Sequence, residues 1–124
     1  MDRTTLVEKD IEAGRKAVET LDKAFEVTAA LWLYSPDSED WSLVIASPEV
    51  ADKGPQETYR KIREVLTEPD LAALERDITV RKPDDDLIGL FKVALHLEGI
   101  GGVRFTRNII NGVLIEDAYV YRMQ

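Results

Sequence analysis

The hydrophobic positions near the start of the chain fall on one helical face. Val7, Ile11, Gly14, Val18, Leu21 and Phe25 are spaced 4, 3, 4, 3 and 4 residues apart, the period of an amphipathic helix. Thr5 and Glu8 stand ahead of this stripe at the spacing of a capping box, in which hydroxyl and carboxylate each take up a terminal N–H. Glu12 with Lys16 and Glu19 with Lys23 are i,i+4 pairs, worth about 0.2–0.5 kcal/mol each.

The period then changes to two. Residues 29–34 (AALWLY) and 41–46 (WSLVIA) flank the polar, proline-containing SPDSED, which predicts two strands and a loop. Leu31 and Leu33 share one face of the first strand; Trp32 and Tyr34 share the other. Apolar residues on both faces imply a central position or a second covering layer. Pro55 suits a first helical position, and Tyr59, Ile62 and Leu66 form the buried stripe of a helix ending near Thr67. Glu68-Pro69-Asp70 breaks it. A short helix is expected over 71–76 and a short strand over 78–81. Pro83-Asp84-Asp85-Asp86 is a turn able to cap a helix over 87–97, which Glu98-Gly99-Ile100-Gly101-Gly102 ends.

Residues 103–110 and 113–122 are separated by Asn111-Gly112, the strongest two-residue hairpin signal, because a type I′ turn needs positive φ at both positions. This fixes a register in which Ile110 opposes Val113, Arg107 opposes Glu116, Thr106 opposes Asp117 and Arg104 opposes Tyr119. Uniform alternation puts Val103, Phe105, Arg107, Ile109, Leu114, Glu116, Ala118 and Val120 on one face. The expected architecture is a single α+β domain over 1–124. It has a mainly antiparallel sheet of about five strands, helices packed mostly on one face, and a C-terminal β-hairpin. The pattern does not order the strands.

Charge and composition narrow the function. Sixteen basic against 24 acidic residues give a net charge of -8, which opposes general nucleic-acid binding because a phosphate backbone is repelled. The absence of cysteine excludes disulfides and thiolate chemistry. One histidine, His96, excludes any site needing two from one chain. The first ten residues are charged with no apolar targeting core, and no apolar run approaches the ~20 residues of a membrane span. A cytoplasmic protein without membrane contact is expected.

The segments ALWLYSPDSEDWSLVIASPEVADKGP (30–55) and GVRFTRNIINGVLIEDAYVYRM (102–123) resemble a widespread group of small bacterial proteins of unknown function. The resemblance covers most of the chain and holds no catalytic motif. It implies a bacterial, intracellular, single-domain protein and assigns no residue a role.

The most specific chemical feature is Arg107 opposite Glu116, placed by the register on the more apolar hairpin face. A buried charge needs a partner, so the pair is a structural bridge, an anion-binding arginine held by its glutamate, or part of a subunit contact. Asp84, Asp85, Asp86, Glu116 and Asp117 are oxygen ligands suited to Mg²⁺. Adjacent strand residues point to opposite faces, however, and aspartates before a helix act as caps, so no metal site or cofactor is expected. The glycines at 99–102 precede a strand, whereas a phosphate cradle needs a following helix. Arg60, Lys61 and Arg63 form a small basic patch. Residues 35–57 hold six acids and one lysine, the composition of a solvated loop or of a dock for a basic partner.

Trp32, Tyr34, Tyr119 and Tyr121 lie on strands, and aromatics are enriched at protein contacts. The sequence therefore favours a non-enzymatic interaction or accessory protein. Its partner is a second copy or another protein, contacted through these aromatics and the hairpin. The alternative is a small-anion or ligand-binding protein, or an enzyme, using Arg107, Glu116, Asp117 and Asn108.

Overall fold

The computed structural model describes residues 5–124. The elements run α1 (Glu8–Ala24), β1 (Ala29–Ser35), β2 (Asp40–Ala46), α2 (Pro48–Lys53), α3 (Pro55–Val65), α4 (Pro69–Ala72), a 3-10 turn (Glu75–Asp77), β3 (Ile78–Arg81), α5 (Asp86–Ala94), β4 (Val103–Ile110) and β5 (Val113–Met123). The five strands form one sheet in the order β3-β2-β1-β5-β4.

Three of the four pairings are antiparallel, and β2 with β3 is parallel. The parallel pair follows from α2, α3 and α4, which carry the chain back to the end of the sheet where β2 began. The α+β class holds, and the sheet is mixed. A parallel edge was not legible in the strand pattern, because ITVR is too short to show its neighbour.

Each sheet face has its own apolar layer. On one, Val18 and Leu21 of α1, Ile62 of α3 and Leu71 of α4 cover Ala30, Trp32, Trp41, Leu43, Ile45 and Tyr121. On the other, Ile88 and Phe91 of α5 cover Leu31, Val44, Phe105, Ala118, Val120 and Met123. Phe91 meets Phe105 edge-on, with ring centroids 5.5 Å apart. Helices thus lie mostly on one face, and α5 explains why the central strands are apolar on both.

Local starts follow side-chain chemistry. α1 begins at Glu8, two residues later than the Thr5–Glu8 spacing implies, and the Asp10 carboxylate accepts the Val7 N–H at 3.2 Å. Val7 consequently stays exposed while Leu6 is buried. α2, which the sequence pattern did not announce, starts on Ser47, whose hydroxyl accepts the Glu49 N–H at 3.1 Å, with Pro48 in the first turn. α5 is capped by Asp85, which accepts from the Leu87 N–H. α5 stops at Ala94, three residues short of the expected end, because Leu97 exchanges two backbone hydrogen bonds with Met123.

Along β5 the pairing with β1 slips by one residue between Ala30 and Leu31. The extra residue is Tyr121, so Tyr121 and Arg122 both turn toward α1. The Tyr121 hydroxyl donates to the Ile11 carbonyl at 2.6 Å, and Arg122 Nη1 donates to Asp22 Oδ1 at 2.7 Å. A bulge converts strict alternation into two consecutive contacts with one helix.

Candidate functional site

The predicted hairpin register is present: Ile110–Val113, Thr106–Asp117 and Arg104–Tyr119 are opposed, with Asn111 and Gly112 at positive φ. The pleat, however, does not alternate uniformly. Arg107 has φ 50°, a left-handed conformation rare for a non-glycine residue, and the ladder skips the Arg107–Glu116 pair. The Asn108 carboxamide oxygen accepts the Thr106 N–H across this kink at 2.9 Å.

The kink exchanges the two faces of the outer hairpin. Phe105, Ala118 and Val120 lie on the α5 side, and so do Ile110 and Ile115. Ile109 and Leu114, expected to be core residues beside the Arg107–Glu116 pair, instead turn to the opposite side. They are 72% and 55% exposed. Val113, opposed to Ile110 on the α5 side, is exposed as well. Arg107 is not enclosed: its side chain is 80% exposed, and its Nε lies 3.7 Å from Glu116 Oε1. The expectation of a charged pair set among apolar neighbours is therefore corrected. Water reaches both groups, and Asn108 serves the backbone.

The aromatic residues divide in two. Trp32 and Tyr121 are buried beneath α1, where Trp32 Nε1 donates to the Tyr121 hydroxyl at 3.0 Å. These two do not form an outward surface, which corrects that expectation; the helix layer takes them. Burial pushes the Tyr121 phenol well above its ordinary value, against the smaller opposing effect of the Trp32 bond. Tyr34 and Tyr119 lie at the margin of this helix layer and are half-buried. Arg15 of α1 reaches to this margin, donating to the Gly101 carbonyl at 3.0 Å and to the Tyr119 hydroxyl at 3.4 Å.

Between Tyr119 and the tip lies a pair that the sequence reading missed. Arg104 donates side-on to Asp117, Nε to Oδ1 at 2.7 Å and Nη2 to Oδ2 at 2.8 Å. The hydrogen bonds to this carboxylate hold the guanidinium above its ordinary pKa. Its carbon sits 5.8 Å from the Trp41 ring centroid, and Trp41 in turn lies 5.4 Å from Tyr34. Arg104 and Asp117 are not directly opposed. They are diagonal cross-strand neighbours, still within reach of a long side chain, and a search of direct opposites passes over them.

One face of the hairpin therefore carries, from base to tip, Tyr119, the Arg104–Asp117 pair, and Ile109 with Leu114. No helix of the described residues packs on its outer part: Ile109 and Leu114 belong to neither apolar layer. This face brings together Tyr34, Tyr119 and Asp117 from the expected candidates. It leaves out Trp32 and Tyr121, and puts Arg107, Glu116 and Asn108 at the kink.

The other candidates have structural roles. Arg60 pairs with Glu57 and Glu64, Lys61 with Glu49 and Arg63 with Glu75, so the basic patch is matched by acids. The Lys61 bond holds the Glu49 carboxyl below its ordinary value. Asp85 pairs with Arg81 as well as capping α5. Among the described residues no group of three acids or histidines is placed to hold a metal ion, and no helix is long and apolar enough to cross a membrane. A groove of about 380 Å³ separates α1 from residues 68–77. Its rim mixes Lys9, Lys16 and Arg76 with Asp10, Asp70 and Asp77, and none of the expected site residues lines it. Comparison with family models, curated proteins and solved structures finds no significant match.

Proposed function

We propose that the protein acts by docking a protein partner on the open face of the β4–β5 hairpin, as an interaction or accessory protein. The observation that carries this reading is the pairing of Ile109 with Leu114. They are directly opposed on adjacent strands and exposed, while Ile110 and Ile115 behind them are buried. A single exposed apolar residue is ordinary, but Ile109 and Leu114 together make an apolar cross-strand pair at the end of the hairpin. The hairpin is rigidly backed by the α5 layer, so docking would cost little ordering entropy.

The reading is tested with Ile109→Glu and Leu114→Lys in a tagged pull-down from the native host. The parent is expected to recover a stoichiometric protein, either untagged copies of itself or another chain. Both variants are expected to lose it while melting at the parent's temperature. Identical recovery by parent and variants would overturn the reading.

A further inference from the structure

We infer that Asn108, together with the left-handed Arg107, closes the outer edge of β4 against strand addition by a second copy of the chain. This concerns the backbone edge of the sheet and is independent of docking on the hairpin face. The order β3-β2-β1-β5-β4 leaves one free edge on β3 and one on β4. A free edge presents unpaired N–H and C=O groups, a template on which another strand can pair. β3 is protected in two ways. It is only four residues long, and the Tyr59 hydroxyl of α3 accepts the Val80 N–H at 3.1 Å. β4 is the greater hazard. It spans eight residues, VRFTRNII, of which Val103, Phe105, Thr106, Ile109 and Ile110 are the β-branched or aromatic types that favour strands.

The protection of β4 is built from its own residues. An added strand needs a run of extended residues with a regular ladder of donors and acceptors. Arg107, at φ 50°, breaks that run, so only 103–106 and 108–110 remain as short extended pieces. Kinks of this kind turn an edge away from an incoming strand, and a charged side chain at the same place opposes it further. The Thr106 N–H, directly before the kink, is donated to Asn108 Oδ1 at 2.9 Å. An N–H held by its own strand is not offered to another. Thr106, Arg107 and Asn108 are all exposed, so the closure lies where an added strand would arrive. The two edges thus carry the same device, a side-chain oxygen on an edge N–H. A helix supplies it at β3, and the strand supplies its own at β4.

The test uses the full chain with Asn108→Val and Asn108→Asp, incubated below the melting temperature and followed by sedimentation velocity and thioflavin T fluorescence. Asn108 is not among the positive-φ residues, so valine fits its backbone while removing the acceptor and favouring extension. Aspartate keeps an oxygen for the Thr106 N–H. The parent is expected to hold its starting mass without dye signal. Asn108→Val is expected to shift to large, thioflavin-positive species, and Asn108→Asp to stay with the parent. Leu114→Lys added to Asn108→Val is expected to leave the assembly unchanged, because Leu114 lies on the hairpin face and not along the β4 edge. Asn108→Val that stays folded at the parent's mass would overturn the inference. Equal assembly by Asn108→Asp would do the same, as would assembly by Asn108→Val that appears only in step with its unfolding in parallel melts. Suppression by Leu114→Lys would put the contact on the face and remove the edge from the account.

Discussion

Trp32 Nε1 donates to the Tyr121 hydroxyl at 3.0 Å, and that hydroxyl in turn donates a hydrogen bond to the Ile11 carbonyl of α1. The chain of donors satisfies two large buried polar side chains at once. It depends on the extra residue in β5, which turns Tyr121 toward the helix. Tyr121→Phe removes the middle of the relay and leaves the indole donor buried and unpaired. A loss of about 1–3 kcal/mol is expected, read by urea unfolding at neutral pH.

The same hydroxyl sets an alkaline limit. Its folded pKa lies above the ordinary value of 10.0, with burial as the main cause. The stabilisation is therefore fully present below pH 10.0 and is lost as pH rises toward the folded value. The parent is expected to lose stability above that point, and Tyr121→Phe is expected to flatten this part of the curve. Thermal melts across the alkaline range check the sign.

Gly14 leaves room for that relay. A Cβ there would press on the Tyr121 hydroxyl and lie 2.6 Å from Trp32 Nε1. Alanine improves helix propensity by about 1 kcal/mol, whereas crowding a packed core costs typically 1–3 kcal/mol. Gly14→Ala is therefore expected to destabilise despite the better helix former. A stabilised variant in urea would show that the aromatic pair gives way cheaply.

Arg107 presents the opposite case. Its side chain is exposed and its backbone is left-handed. Glycine takes that conformation without penalty, and a surface ion pair is worth about 0–1 kcal/mol at most. Arg107→Gly is expected to be neutral or to stabilise by up to about 1 kcal/mol. A clear loss would mean that the kink depends on the Glu116 contact.

Arg122 is buried and Asp22 is partly exposed, so the two halves of their bridge are not equivalent. Asp22→Ala strands a buried guanidinium on the Val27 carbonyl alone, whereas Arg122→Met leaves a carboxylate that water can reach. Breaking a buried pair costs about 3–5 kcal/mol, and the access of Asp22 to solvent reduces this to about 1–3 kcal/mol. Asp22→Ala is expected to be the costlier substitution. A double-mutant cycle measures the coupling.

The hairpin shows how far the sequence carries and where it stops. Asn111-Gly112 determines which residues oppose each other, and every opposed pair deduced from it that the ladder contains is correct. Strict alternation predicts the facing, and that fails at Arg107. No residue in TRNII demands a left-handed conformation; the kink is where Ile110 and Ile115 come to lie on the α5 side. The aromatics were ambiguous for a related reason. Trp32 beneath a helix and Tyr34 at its margin occupy the same face of one strand, and only the length and placement of α1 separates them. Arg104 was missed because its partner is diagonal.

The sheet order has a consequence for synthesis. Of the five strands of this sheet β1 is made first, and its two neighbours are β2, made directly after it, and β5, made last of the five. One full edge of a strand with buried residues on both faces stays open while roughly the next eighty residues are translated. Until residues 118–123 arrive, the nascent chain offers that edge to any extended segment nearby. The exposure of that edge is therefore confined to the interval between the making of β1 and the making of β5.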